Sequence, residues 1–263
     1  MRQIVDKIGK ILSLFSFDRT ELGVTELSTE LAWPKSTVSE ILSSLAGQGL
    51  VERTPRGRFR LGWRFFELNQ MLLEGTPMVR EGRRAMQELV ERHGESSHLM
   101  VLERQHAVIV EKVQASLATQ ILMSRVGLRQ PAHCSACGKM LLALRPWDEV
   151  SRLFDNVELK PFTPATITGL PTLQRELAEI RERDYAFDRE EIVPGLTCVA
   201  APIRNEEGKA IAAMSVSIPT YRFADGEAGY VEMIRGAALR VSRKLGFVDD
   251  KRAREHPHRR TEQ

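Results

Sequence analysis

The chain has 263 residues, of which 42% are hydrophobic and 28% charged, with a formal net charge of +3. That length suits a small module plus one larger domain, each able to bury a core without metal or disulfide support, and the charge excludes a polybasic protein while allowing one basic face. The apolar runs fall short of the roughly 20 residues a membrane span requires, and Met1-Arg2-Gln3 leads into an amphipathic stretch instead of a signal sequence, so a cytoplasmic protein with no membrane partner is expected.

Ile4, Ile8, Ile11, Leu12 and Phe15 recur at helical spacing and predict a first helix over about residues 2–16. Leu27 and Leu31 mark a second helical face, Ala32-Trp33-Pro34 breaks it, and Val38, Ile41, Leu42 and Leu45 form the stripe of a third helix opening at Lys35. Gly47-Gln48-Gly49 stops that helix. Two alternating segments, 50–53 and 58–61, flank the turn Pro55-Arg56-Gly57. Helix, turn, helix and basic hairpin together predict a winged DNA-binding module over 1–62.

Residues 63–76, with Phe65, Phe66, Leu68, Met71, Leu72 and Leu73, are apolar around too much of a helix for an exposed linker, which predicts a linker helix covered by a second subunit. Pro77 suits a first helical position, and Val79, Gly82, Met86, Leu89 and Val90 carry a further helix to Gly94. Strands are then expected at 99–103, 107–113 and 120–126, helices at 134–144, 147–154 and 173–183, and strands at 185–190, 198–204 and 210–218. Val231, Ile234, Ala238, Val241 and Leu245 mark a last helix, stopped by Gly246. The fold class is therefore α+β, with a winged helix-turn-helix, a linker helix, and over 77–248 an antiparallel sheet flanked by helices. Residues 249–263 have too few apolar side chains to fold and are expected to be disordered.

In a helix-turn-helix the second helix presents its N-terminal residues to base edges, while flanking groups hold phosphates. Lys35, Ser36, Thr37, Ser39 and Ser43 are the candidates on the exposed face, and Arg53, Arg56, Arg58 and Arg60 concentrate in the hairpin as phosphate contacts. The competing reading makes these a solvated surface, or the hairpin a protein-contact element.

With both halves read, the chain resembles the IclR family of transcriptional regulators over residues 2–248. The first half carries Leu31-Ala32-Trp33-Pro34-Lys35-Ser36-Thr37-Val38, then Gly49-Leu50-Val51 and Phe59-Arg60-Leu61-Gly62; the family commonly has arginine where this chain has Glu40, so no DNA contact transfers there. The second half carries Pro131-Ala132-His133-Cys134-Ser135-Ala136-Cys137-Gly138-Lys139, then Asp188 to Pro202 with Pro194-Gly195-Leu196-Thr197-Cys198, then Ser215-Val216-Ser217-Ile218-Pro219. The resemblance implies a GAF-like domain that binds a small metabolite and shifts the geometry of a homodimer or homotetramer on a double-stranded operator. It implies effector contacts at Asp188, Cys198, Ser215 and Ser217, with Ala136 and Gly138 closing the pocket.

The residues agree with that analogy. Ser135, Ala136 and Gly138 stand at or near a helix N-terminus, where free amides and the dipole suit a carboxylate, so an organic or aromatic acid is the expected effector. Ser215 and Ser217 share one strand face, Asp188 offers an acceptor, and Leu122 an apolar wall. Tight packing or an exposed turn would account for each residue alone.

Two other chemistries compete with this reading. Cys134 and Cys137, with His133 and Cys198, suggest a zinc or thiol-oxidation sensor if their pKa values are lowered at the helix start, although one CxxC is a weak zinc signal and no metal or cofactor is expected. Catalysis is not expected: P-loop, nucleophile-elbow and H-E-x-x-H motifs are missing, His93, His98, His106 and His133 are scattered, and Glu190-Glu191 reads as flanking a surface loop instead of forming an acid/base couple.

Overall fold

The structure is a computed structural model that describes residues 2–115 and 124–248. The chain divides between Thr76 and Pro77 into two compact units.

The first unit runs α1 (Arg2–Ser13), β1 (Glu21–Leu22), α2 (Val24–Leu31), α3 (Lys35–Gly47), β2 (Val51–Arg53), β3 (Phe59–Leu61) and α4 (Arg64–Glu74). Ile11, Leu22, Leu27, Val38, Ile41, Leu42, Leu45, Val51 and Phe59 form its core, so the stripes of all three helices converge where their spacing places them. Ala32 ends α2 in the left-handed region at φ 53°, its N–H turned back to the carbonyls of Ser28 and Thr29, and Pro34 begins α3. The strands form an antiparallel sheet in the order β1-β3-β2. Gly62 crosses so close to Gly49 that a Cβ would lie 2.1 Å from the Gly49 carbonyl oxygen, which makes a glycine necessary there. Helix α1 stops three residues short of the expected end, although Phe15 still packs on the core. No side chain of α4 is buried within the unit; Phe66, Leu68, Met71 and Leu72 are exposed, as is Trp63 before it.

The second unit contains α5 (Pro77–His93), β4 (Ser96–Glu103), β5 (His106–Val113), β6 (Arg129–Pro131), α6 (Ala136–Ala143), α7 (Trp147–Leu153), α8 (Leu170–Arg183), β7 (Ala186–Arg189), β8 (Leu196–Arg204), β9 (Ala210–Pro219), α9 (Thr220–Phe223) and α10 (Glu227–Lys244). Six antiparallel strands pair in the order β6-β5-β4-β9-β8-β7. Alternation along the strands divides the faces. Met100, Ile109, Ala200 and Ala213 pack with Met140, Leu173 and Leu177 of α6 and α8, while Leu99 turns the other way, onto Gly82 of α5. Helix α10 packs beside α5 and over β8.

The strand expected over 120–126 falls partly outside the described residues. Residues 124–126 are irregular and Val126 is exposed, while residues 120–123 lie outside the described residues. The sixth strand is β6, whose Arg-Gln-Pro sequence has no strand signature and is tolerated only because β6 is an edge. The proposed tail, 249–263, also lies outside the described residues. No helix among those described is long and apolar enough to cross a membrane.

Candidate functional site

In the first unit, Pro34 leads into α3 so that Lys35, Ser36, Ser39 and Ser43 are exposed on the side opposite its buried stripe, with Glu40 beside them and Thr37 half-buried. The wing closes through a tight turn in which Gly57, at φ +74°, donates its N–H to the Thr54 carbonyl at 2.9 Å. Its four arginines are not equivalent. Arg58 reaches inward, donating to the Glu21 carbonyl and to Glu26 Oε2, both at 2.7 Å. Arg60 pairs with Glu52 at 2.9 Å across the hairpin. Arg53 and Arg56 are exposed, and no carboxylate pairs with either among the described residues. Glu26 also accepts from Arg19 at 2.9 Å and from the Gly23 N–H at 3.3 Å, and these contacts, Arg19 first, hold its carboxyl below the usual carboxylate range. The carboxylate therefore fixes the start of α2 and the root of the wing together.

In the second unit, pairing places Asp188 opposite Cys198 and Cys198 opposite Ser217, a row across β7, β8 and β9. Ser215 stands on the same face two residues earlier, with His98 of β4 opposite it. These residues, together with Ser135, Ala136 and Cys137 at the start of α6, line one cavity of about 40 Å³, closed further by Met100, Ser124, Gln130, Ile192, Val193 and Leu196. That is space for one or two water molecules. The Cys198 sulfur and the Ser217 hydroxyl are 3.2 Å apart, and His98 Nε2 lies 2.9 Å from Ser124 Oγ.

Of the expected pocket residues, Ser135, Ala136, Asp188, Cys198, Ser215 and Ser217 come together here. Ser135 caps α6 with its hydroxyl, which accepts the Gly138 N–H at 3.2 Å. Gly138 itself is not part of the lining: a Cβ would sit 2.4 Å from Ala132 Cα, so the missing side chain serves close packing. Leu122 lies outside the described residues. His98, Met100 and Gln130 were missed, because membership of the cavity depends on how β4 and β6 curl toward α6, which no local pattern records.

Burial sets the chemistry of the site. Asp188 is only 5% exposed, and desolvation pushes its carboxyl up to about 7, although the Glu191 N–H, donating to Oδ1 at 2.7 Å, opposes the shift. Burial likewise pushes the His98 imidazole down to about 4, with the Lys112 charge adding to the effect.

Glu191 lies in the connection between β7 and β8, yet its side chain is buried against the Lys139 ammonium, while Thr163 and Thr166 donate to the carbonyls of Glu190 and Glu191. The cysteines do not have lowered pKa values. Burial raises Cys134, Cys198 and Cys137, the last to about 12, which favours thiols over the thiolates that a sensor would need.

A winged helix-turn-helix joined in one chain to an antiparallel domain with a small cavity lined by both polar and apolar side chains fits a DNA-binding regulator with an effector-binding domain. Comparison with known proteins agrees: residues 4–55 match the model described as the IclR helix-turn-helix domain, and residues 70–243 match that of the bacterial transcriptional regulator IclR C-terminal. The chain belongs to the IclR family, whose members are transcriptional regulators and not enzymes. It is 36% identical to the HTH-type transcriptional regulator XynR of Escherichia coli (strain K12), covering 93% of this chain and 98% of that one. Identity to KdgR of the same organism is 34%, over 93% and 95% of the two chains. Among solved structures, an IclR homolog from Microbacterium hydrocarbonoxydans complexed with 4-hydroxybenzoate superposes with a TM-score of 0.78 at 28% identity, covering 92% of this chain and 98% of that one.

Proposed function

We propose that the cavity beneath the start of α6 takes a small organic acid, aromatic acids included, and that its occupancy changes how a homodimer or homotetramer of this chain engages its operator. One observation carries the reading. Buried Asp188 and Ser217 flank half-buried Cys198 in one row under a helix N-terminus whose Ala136 and Cys137 also face the cavity, where free amides suit a carboxylate. The complex of the Microbacterium homolog with an aromatic acid supports the same class. A space of about 40 Å³ cannot hold such a molecule without parting its walls, so binding and a change of shape are linked.

In this reading residues 1–62 form the DNA module, 63–76 the linker helix and 77–248 the effector and oligomerisation domain. Lys35, Ser36, Ser39 and Ser43 face base edges, and Arg53 and Arg56 meet phosphates. The exposed apolar side chains Trp63, Phe66, Met71 and Leu72 are covered by the second subunit.

The test is reciprocal. A thermal-shift screen of organic acids, 4-hydroxybenzoate among them, identifies a ligand, since a compound bound to the folded state stabilises by RT ln(1 + [L]/Kd). Operator affinity is then measured with and without it, and ligand affinity with and without operator; the two ratios are expected to match. Unchanged operator affinity at saturating ligand would end the proposal.

A further inference from the structure

The walls of the cavity are not equally fixed. Helix α6 buries all eight of its residues, and β8, β9 and β4 are each paired on both sides, so these parts move only by breaking the core. On another flank Ser124 is tied by its hydroxyl to His98 and by its carbonyl to Lys112 Nζ, both at 2.9 Å. The connection between β7 and β8 differs. Ile192 and Val193 give the cavity apolar cover yet are only half-buried, and Pro194 and Gly195 are exposed. Both ends of this segment are pinned: the Glu190 N–H donates to the Leu196 carbonyl at 3.1 Å, and the Gly195 carbonyl accepts the Thr220 N–H at 2.9 Å. Behind it, Thr163 and Thr166 donate to the carbonyls of Glu190 and Glu191 at 2.7 and 2.6 Å, and Lys139 holds the Glu191 carboxylate. Glu190 and Gly195 both have left-handed backbones, at φ 61° and 77°, and the Glu190 carboxylate accepts the Gly195 N–H at 2.8 Å.

We infer that Ile192, Val193 and Pro194 form a gate over the cavity, hinged at Glu190 and Gly195 and latched by the hydrogen bond between those two residues. A segment pinned at both ends, with apolar side chains between the pins, opens by turning about them while the anchored Glu191 stays in place. Glu190 is held in a conformation that disfavours a residue with a Cβ, so opening returns part of its own cost. The latch is exposed and made by one carboxylate, which lets it break and re-form without disturbing the core. The inference concerns access to the cavity whatever occupies it, so it goes beyond the organic-acid reading and does not depend on it.

The protein carries its own reporters. Cys137 and Cys198 line the cavity, whereas Cys134 is buried and takes no part in the lining. The full-length protein is treated with iodoacetamide under native conditions, and the labelling rate of each cysteine is read by peptide mass spectrometry. While closing outpaces alkylation, the rate at a cavity thiol follows the open fraction. Cys198 is expected to label faster than Cys134 in the parent chain. Glu190→Ala removes the latch, and Gly195→Ala sets a side chain at positive φ where its Cβ meets no atom within 4 Å, so the closed backbone alone is penalised. Each is expected to speed labelling of Cys198 by about three- to tenfold, the worth of one hydrogen bond or one strained residue, with Cys134 unchanged. Glu190→Gln keeps an oxygen that accepts the Gly195 N–H and is expected to label at a rate closer to the parent than to Glu190→Ala. Either alanine variant decides the matter if the other does not fold. Unaltered Cys198 labelling in a folded alanine variant overturns the inference, because the cavity then opens elsewhere. Cys134 and Cys198 accelerated by the same factor also overturns it, because the whole domain has then loosened. A parent chain in which Cys198 labels no faster than Cys134 does so without any variant.

Discussion

Lys139 of α6 and Glu191 of the β7–β8 loop form an ion pair in the interior of the second unit, where 2% of the lysine side chain and 7% of the glutamate side chain meet solvent. Glu176 of α8 lies 3.8 Å from the same ammonium and is itself held by Arg183 at 2.9 Å. Burial raises the Glu191 carboxyl above the usual range, and the Lys139 charge opposes that shift. The Glu191 backbone N–H grips Asp188, so the pair also fixes the acidic end of the cavity.

Removing one partner of such a pair strands the other charge in the core, which typically costs about 3–5 kcal/mol, whereas replacing both with apolar groups is often close to neutral. Lys139→Met is therefore expected to lower the unfolding free energy by about that amount, and Lys139→Met with Glu191→Leu to recover most of it. Denaturant unfolding of the three proteins measures both. A double variant no more stable than the single one would show that the pair is not what Lys139 supports.

The wing separates into two kinds of arginine, and salt dependence distinguishes them. Each phosphate contact releases a counterion and contributes about −0.9 to the slope of log affinity against log salt. Replacing Arg53 and Arg56 together by alanine is expected to flatten that slope by about 2, for operator and unrelated duplex alike. Arg58→Ala is expected to leave the slope unchanged and to melt earlier, since its guanidinium is bonded to the Glu21 carbonyl and to Glu26. Fluorescence anisotropy across a salt series, with a melting curve for each variant, reads both effects; a flattened slope in Arg58→Ala would remove the distinction.

The contrast among the arginines shows where the sequence is readable and where it is not. The stripes Leu27–Leu31 and Val38–Leu45 depend on neighbours three and four residues away, and Gly57 on its own backbone, so the helix-turn-helix and its hairpin are visible in the chain itself. Strand alternation likewise places Ser215 and Ser217 on one face. Partners distant in sequence are invisible to that logic: Arg58 meets Glu26 across 32 positions and Lys139 meets Glu191 across 52. The two-residue β1 and the three-residue β6 are too short for a period to register, and β6 contains a proline. The burial of Glu191 has no local signal, because its partner Lys139 comes from α6, far away in sequence.

Asp188 gives the sharpest pH signature. Its folded carboxyl is pushed up to about 7 from an ordinary value of 3.8. Below about pH 3.8 both folded and unfolded chains hold the proton, and this group takes nothing from stability. As pH rises from there through about 7, the unfolded chain releases the proton while the folded chain retains it, so stability falls across that window and levels off above it. Asp188→Asn cannot ionise, yet its side-chain oxygen still accepts the Glu191 N–H. The melting temperature of Asp188→Asn is accordingly expected to gain on that of the parent chain between about pH 5 and pH 7, with the difference constant above about pH 8. Other titrating groups are common to both proteins and largely cancel in the comparison. Thermal melts over that range provide the measurement, and a difference that stays flat from the acid side upward would mean that Asp188 ionises as an ordinary surface carboxylate, contrary to its buried position.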